Sequence, residues 1–384
     1  MNFELSQEQK MFRDMARKFA ELEIIPRLKD CERQEKIDTE ISKKIAPLGL
    51  HGALIPQEYG GLGLNYITFG IIWEQLSWGS WSLAQAALGG AILPRAVIMA
   101  GGSEEQKRKY LTSMAKGEKI FSMAAVEPNV GSDSAAIETI AKLVGNKWVL
   151  NGNKIFITMG SVADIILVLA QTDKSKGPRG LAMFAVDKET QGFSSVEIKG
   201  KLGFRGCSLA QLRFTDCQVS QENIIGEIGE GLRNTMHGVD DARFSIAAGC
   251  IGMSQSCLES CIKYVKERKQ FGKPIGSFQL VQEKITKMAA QIDLMRLYLY
   301  YLGDLKDRGV PHIKETSYCK YLAAEMAVRI SAEAIKLHGA YGCIDDFLVE
   351  HHYRDAMLAT ILGGTEEIHK LIVGRELLGI NALV

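Results

Sequence analysis

Trp148-Val149-Leu150-Asn151-Gly152-Asn153-Lys154-Ile155-Phe156-Ile157-Thr158 has no helical repeat and follows Gly145-Asn146, a pair suited to a hairpin turn. The stretch predicts a strand, and Phe156 and Thr158, two residues apart, fall on one side of it. A ring and a hydroxyl so placed suit the face of a flat heterocycle. A plain half-buried strand has the same composition, so the pattern leaves both readings open.

Short apolar or alternating segments surround it, from about Ile120 through Ile165-Ile166-Leu167-Val168-Leu169 to Leu209–Phe214. Helical spacing holds on either side of this β region. Before it, Ser6 and Gln9 form a capping-box pattern, and Met11, Phe12, Met15, Ala16, Phe19 and Ala20 recur at helical spacing up to Pro26. Further helical runs are expected at about 38–50, 67–80 and 84–116, with the loop Tyr59-Gly60-Gly61-Leu62-Gly63 between them. After Gly231, helices are expected near 231–268, 278–308, 312–338, 344–361 and 365–378. The domains predicted are 1–118 (helical), 119–228 (β) and 229–384 (helical).

The 384 residues exceed one ordinary core, and 46% hydrophobic with 24% charged residues is a globular balance. With 46 basic and 45 acidic residues, the chain offers no electrostatic case for nucleic acid or an anionic membrane surface, and no membrane insertion is expected. The eight cysteines include no CxxC pair; Cys250, Cys257 and Cys261 read as small apolar residues along a helix. Reduced, buried thiols and a cytoplasmic setting are expected, with no metal site and no targeting segment at the N-terminus.

Three further segments carry candidate chemistry. Ala125-Val126-Glu127-Pro128-Asn129-Val130-Gly131-Ser132-Asp133 joins a strand to a turn and offers backbone donors and a hydroxyl, or is an ordinary β-turn. Arg268-Lys269-Gln270-Phe271-Gly272-Lys273-Pro274, followed by Gln279, ends one helix and starts another, where a guanidinium and amides could meet a pyrophosphate or simply face water. In the tail, Lys336-Leu337-His338-Gly339-Ala340-Tyr341-Gly342 and Tyr353-Arg354-Asp355-Ala356 precede Gly363-Gly364-Thr365-Glu366-Glu367, a glycine pair at a helix start. Free N–H groups there suit an anion or a carbonyl oxygen, though such glycines also serve as plain helix punctuation.

Taken in order, these segments resemble the acyl-CoA dehydrogenase family over essentially the whole chain, from Phe3-Glu4-Leu5-Ser6 to Thr365. The resemblance implies a mostly α fold with an N-terminal helical domain, a β-barrel-like middle domain and a C-terminal four-helix bundle, assembled as a homotetramer with FAD. By that resemblance Ala125, Val126, Ser132, Phe156 and Thr158 line the flavin, with Thr365 and Glu367 on its cofactor side. Arg268, Phe271 and Gln279, with Lys336, Gly339 and Ala340, reach FAD across a subunit interface. Val126 stands where threonine is common and Phe156 where tryptophan is common. Ser132, Asp240 and Arg243 match positions on the CoA side, and an electron-transfer flavoprotein is the implied electron partner.

In most relatives the segment Leu362-Gly363-Gly364-Thr365 reads Tyr-Glu-Gly-Thr, and the glutamate takes the α-proton. Some relatives carry the glutamate on the long helix instead, where this chain has Ala242. Both places are empty here. Asp241 is the substitute expected from the sequence, although one residue along a helix turns a side chain by about 100°. Glu74, Asp345, Asp346 and Glu366 are the other acids near the implied site. Gly363 still offers its backbone N–H to a thioester carbonyl. The expected activity is oxidation of an acyl group on CoA or a carrier protein, with an unusual base or position of oxidation and possibly a cyclic or unsaturated acyl group. The alternatives are an enoyl-thioester reductase resembling the crotonobetainyl-CoA reductase branch and a silent flavin- and thioester-binding subunit.

Overall fold

The computed structural model describes residues 4–88 and 90–382; Phe3, the start of the N-terminal motif, lies outside the described residues. The first helix, α1 (Gln7–Phe19), begins with both halves of the Ser6–Gln9 capping box. Pro26 does not end it, contrary to expectation. A π turn, Ala20–Ile24, carries the chain into α2 (Ile25–Gln34), with Pro26 in its first turn, where the switch from π to α winding accommodates the missing N–H. Next come α3 (Glu40–Ile45) and α4 (Tyr66–Gly79).

The expected helix over 84–116 is three helices: α5 (Trp81–Ala87), α6 (Ile92–Gly101) and α7 (Glu104–Ala115). Gly90 at φ +70° turns the chain before α6, and a Ser103–Gln106 capping box restarts it at α7.

The middle of the chain forms a seven-stranded sheet: β1 (Phe121–Ala124), β2 (Ile140–Val144), β3 (Lys147–Thr158), β4 (Ile165–Gln171), β5 (Leu181–Asp187), β6 (Phe193–Glu197) and β7 (Leu209–Ser220). The strand order is β1-β4-β2-β3-β7-β6, with β5 also paired to β4, and the sheet curls rather than lying flat. Gly145-Asn146 is the two-residue turn between β2 and β3, with Val144 opposite Lys147.

The C-terminal helices are α8 (Gly231–Glu267), α9 (Gln279–Asp307), α10 (Ile313–His338), α11 (Val349–Ala359) and α12 (Glu366–Leu378). A small hairpin, β8 (Lys269–Gln270) and β9 (Lys273–Pro274), joins α8 to α9. Close approach of α4 to α8 depends on Gly252, where a Cβ would stand 2.2 Å from the Glu74 carbonyl oxygen. Seven of the eight cysteines are buried and free, but Cys343 is exposed, so the expectation of buried thiols fails there. No single helix among the described residues is long and apolar enough to cross a membrane.

Candidate active site

The loop after β1 is tied to β3 by a buried ion pair that sequence reading did not single out. Lys154 Nζ lies 2.7 Å from Glu127 Oε1 and donates to the Ala125 carbonyl at 3.1 Å. Glu127 also accepts the Glu138 and Thr139 N–H groups, while its backbone pairs with Val130. Burial lowers the Lys154 ammonium to about 8 against the pull of Glu127; Glu127 overcomes its own burial through Lys154 and these hydrogen bonds and sits below the usual range. The pair is therefore charged at neutral pH, and it fixes the backbone of Ala125 and the start of the Ser132 loop.

The Ile155 N–H donates to the Val126 carbonyl, which ties Val126 to the strand just before Phe156. Phe156 sits at a register shift between β3 and β7 with φ +57°, and its ring is 55% exposed. A non-glycine residue held in this conformation with its ring turned out of the sheet is a built feature. Thr158 is half-buried, and its carbonyl accepts the Ser122 hydroxyl.

At the other end of the C-terminal helices, Phe271 and Gly272 form the turn of the β8–β9 hairpin at φ +52° and +78°, leaving Phe271 92% exposed. The Arg268 guanidinium lies over the Tyr341 ring at 5.9 Å, which brings the hairpin to the segment after α10. Gly339 caps α10 at φ +63°, Ala340 follows it, and Lys336 pairs with Glu333. Gln279 is the first residue of α9.

The tail glycines form a tight turn before α12. Gly363 has φ +70° and Gly364 φ +112°, and Thr365 caps α12 by accepting the Ile368 N–H. Arg243 Nε donates to the Gly363 carbonyl at 2.9 Å, and Lys320 Nζ donates to the Gly364 carbonyl at 2.6 Å and the Thr360 carbonyl at 3.3 Å. Burial lowers Arg243 from its ordinary value and takes Lys320 to about 8. A Cβ on Gly363 would stand 2.8 Å from Ile246 Cδ1, within contact distance. Arg243 is thus not in the helix-surface ion pair that its setting on α8 also allowed.

His369 is a further member of this group that the sequence reading missed. It is fully buried beside Gly364, yet neither ring nitrogen reaches hydrogen-bonding geometry. Burial, then Arg243 and Lys320, lower it to about 3, so it is a neutral imidazole. Glu367, the cofactor-side acid of the tail, is held below the usual range by its own backbone N–H and the Thr365 hydroxyl.

Asp241 faces elsewhere. It is 4% exposed, accepts the Tyr66 hydroxyl at 2.7 Å, and pairs with Arg95 and with Lys306 Nζ at 3.1 Å. The base role expected from the sequence does not suit these surroundings, because both carboxylate oxygens are engaged between α4, α6 and α9. Asp240 pairs with Lys306 and His312; against its burial, these two hold it well below the usual carboxylate range. Glu74 turns inward but onto Arg296, which holds both of its oxygens. Asp345 and Asp346 pair with Lys29, and Glu366 pairs with Lys370.

Family models for acyl-CoA dehydrogenase match the chain in three parts: the N-terminal domain over residues 6–118, the middle domain over 122–217 and the C-terminal domain over 229–378. An acryloyl-CoA reductase (NADH) of Anaerotignum propionicum is 37% identical over 98% of this chain and 96% of its own. The caffeyl-CoA reductase-Etf complex subunit CarC of Acetobacterium woodii is 36% identical over 97% of this chain and 99% of its own. The solved butyryl-CoA dehydrogenase of Megasphaera elsdenii superposes with a TM-score of 0.96 at 32% identity, covering 98% of this chain and 100% of that one. The chain belongs to the acyl-CoA dehydrogenase family. It is a flavoprotein oxidoreductase of the CH–CH bond of acyl-CoA, and its cofactor is FAD. The residues present fit that group: Val126 and Phe156 are both exposed and apolar, on backbone segments joined by the Ile155–Val126 hydrogen bond, and Phe156 is held at positive φ on an edge that a flat ring can cover.

Proposed function

We propose that this enzyme works on the Cα–Cβ bond of an acyl thioester in the direction of reduction, converting an α,β-unsaturated acyl thioester to the saturated one. The observation that carries the reading is the environment of Gly363. Where a base would stand there is no side chain, and the nearest groups are Ile246 and Arg243. Asp241 and Glu74 are already held by cations. Removing a proton from a saturated α-carbon is steeply uphill and needs a positioned base. Protonating the enolate left after hydride addition at Cβ is downhill, and water can supply that proton. The names of the Anaerotignum and Acetobacterium relatives also favour reduction over the oxidation expected from the sequence.

FAD, when bound and reduced, supplies the hydride. The chain's own part is to hold and polarise the thioester: the Gly363 N–H is the donor to its carbonyl, in a turn that Arg243 and Lys320 clamp from two helices. Ala125, Val126, Ser132, Phe156 and Thr158 line the flavin, with Thr365 and Glu367 at its other edge. Ser132, Asp240 and Arg243 serve the CoA side. Arg268, Phe271, Gln279, Lys336, Gly339 and Ala340 serve the FAD of a partner subunit in a homotetramer. The bare Phe271, with Leu280 77% and Leu294 68% exposed on α9, supports such an assembly. An electron-transfer flavoprotein is the proposed redox partner, as in the name of the Acetobacterium relative.

The test is anaerobic flavin absorbance. Photoreduced enzyme should be reoxidised by α,β-enoyl-CoAs, and oxidised enzyme should bleach little with saturated acyl-CoAs. Fast bleaching by a saturated or cyclic thioester would restore the dehydrogenase reading. Inertness towards every thioester would leave a silent binding subunit.

A further inference from the structure

Away from the Gly363 turn, three buried residues from distant parts of the chain converge. Glu32 of α2 and His351 and Asp355 of α11 each bring one oxygen or nitrogen within 4.8 Å of the others. Their exposures are 7%, 3% and 0%. Three of their polar atoms, Glu32 Oε1, His351 Nδ1 and Asp355 Oδ2, are buried without a hydrogen-bond partner, the His351 ring standing 3.5 Å from Glu32 Oε2 and 3.4 Å from Asp355 Oδ2. Native interiors leave few such atoms unpaired, and three in one cluster mark the place of a missing partner.

The surrounding residues orient this cluster. Arg354 Nη1 donates to Glu32 Oε2 at 2.7 Å, and the Phe204 N–H donates to Asp355 Oδ1, so each carboxylate keeps one oxygen turned to the centre. Ser80 Oγ lies 3.1 Å from His351 Nε2. Glu350 also pairs with Arg354, so two carboxylates, Glu32 and Glu350, share its guanidinium. A cleft of about 510 Å³, lined by Glu32, His351, Glu350 and Arg354 among others, lies beside the cluster.

We propose that Glu32, His351 and Asp355 form a structural site for a divalent transition ion of the zinc type. One imidazole with two carboxylates is a ligand set zinc accepts, and oxygen and nitrogen ligands at about 2.0–2.2 Å require only that the three side chains close in by a fraction of their present spacing. The ion would staple α2 to α11 and, through Asp355 and Phe204, to the middle sheet. Arg354 and the Phe204 N–H are its outer shell.

The probe is Zn²⁺ alone, with the FAD-loaded enzyme in a Cys343→Ser background, because the exposed Cys343 lines the same cleft and could bind zinc by itself. After EDTA treatment and dialysis against chelator-buffered Zn²⁺, metal analysis should find one ion per chain, and the ion should raise Tm. His351→Gln and Glu32→Gln should each weaken binding at least about tenfold with flavin content unchanged. His237→Gln, an exposed histidine elsewhere, should bind as the parent does. A parent that takes up no stoichiometric zinc and shows no Tm shift overturns the proposal, as does stoichiometric zinc retained by His351→Gln. If His351→Gln does not fold, the uptake and Tm shift of the parent decide. A parent without them means that His351 bridges the two carboxylates as an imidazolium instead.

Discussion

Arg243 Nε donates to the Gly363 carbonyl across 2.9 Å, linking the middle of the longest helix to the turn in which the proposed thioester site lies. A side chain at residue 363 would meet two neighbours, Ile246 and Arg243. Ile246, one turn further along α8, fills the space a Cβ would enter.

Gly363→Glu should therefore lower stability by about 1–3 kcal/mol, from the positive φ and the contact with Ile246, and give little oxidation of saturated acyl-CoA. Gly363→Glu with Ile246→Ala should regain part of the stability and bleach the flavin with a saturated substrate. Thermal melts and anaerobic bleaching rates check both. A fully stable, fast single variant would contradict the packing argument.

Asp241→Asn leaves Arg95 and Lys306 short of a buried counterion and should cost about 3–5 kcal/mol in denaturant melts. Enoyl-thioester reduction per folded molecule should stay near the parent rate. A stable variant that has lost its single-turnover chemistry would return Asp241 to the mechanism.

His369 gives the enzyme an acid-sensitive stability. The unfolded chain takes up this proton near its ordinary value of 6.5, whereas the folded chain resists until about 3. Between those values the unfolded state holds more protons, so stability falls as pH drops, by up to about 1.4 kcal/mol per unit. His369→Leu should flatten that limb in urea melts between neutral pH and pH 4. Parallel slopes for the two proteins would show that the proton goes elsewhere.

Phe271→Ala should leave helical content unchanged while weakening flavin retention about two- to tenfold, the worth of one aromatic contact. Gel filtration with absorbance at the flavin band reads this directly, together with assembly size. Unchanged retention in an intact tetramer would remove Phe271 from the neighbouring subunit's cofactor site.

Much of the fold was legible because period and capping are local. The Ser6–Gln9 box, the Gly145-Asn146 turn and the order of helix, strand and helix all depend on residues close in sequence. The breaks within 84–116 were missed because apolar residues continue across them, although Gly90 and the Ser103–Gln106 pair mark them. The glycine pair at 363 and 364 was visible, but what occupies its space was not. Ile246, Arg243 and Lys320 come from helices over 40 positions away in sequence. Asp241 misled for the same reason, since Arg95 and Lys306 approach from two other helices. His369 followed the quoted tail motif directly; a histidine in the first turn of the helix that the glycine pair opens was the available signal.

The π turn before Pro26 sets a phase. Its wider winding, with the Ile25 N–H reaching back to the Ala20 carbonyl, takes in one residue more than an α-helical turn would. Deleting a single residue from Ala20–Ile24 would close it to an α-helical turn that sweeps nearly the same angle, so the helix beyond would keep its face. Leu28 and Cys31 would stay turned to the core, and Glu32 would stay on the side of Arg354 and His351. In this part of the chain a one-residue deletion is a milder change than the same deletion in a regular helix, because an irregularity five residues long absorbs the missing residue.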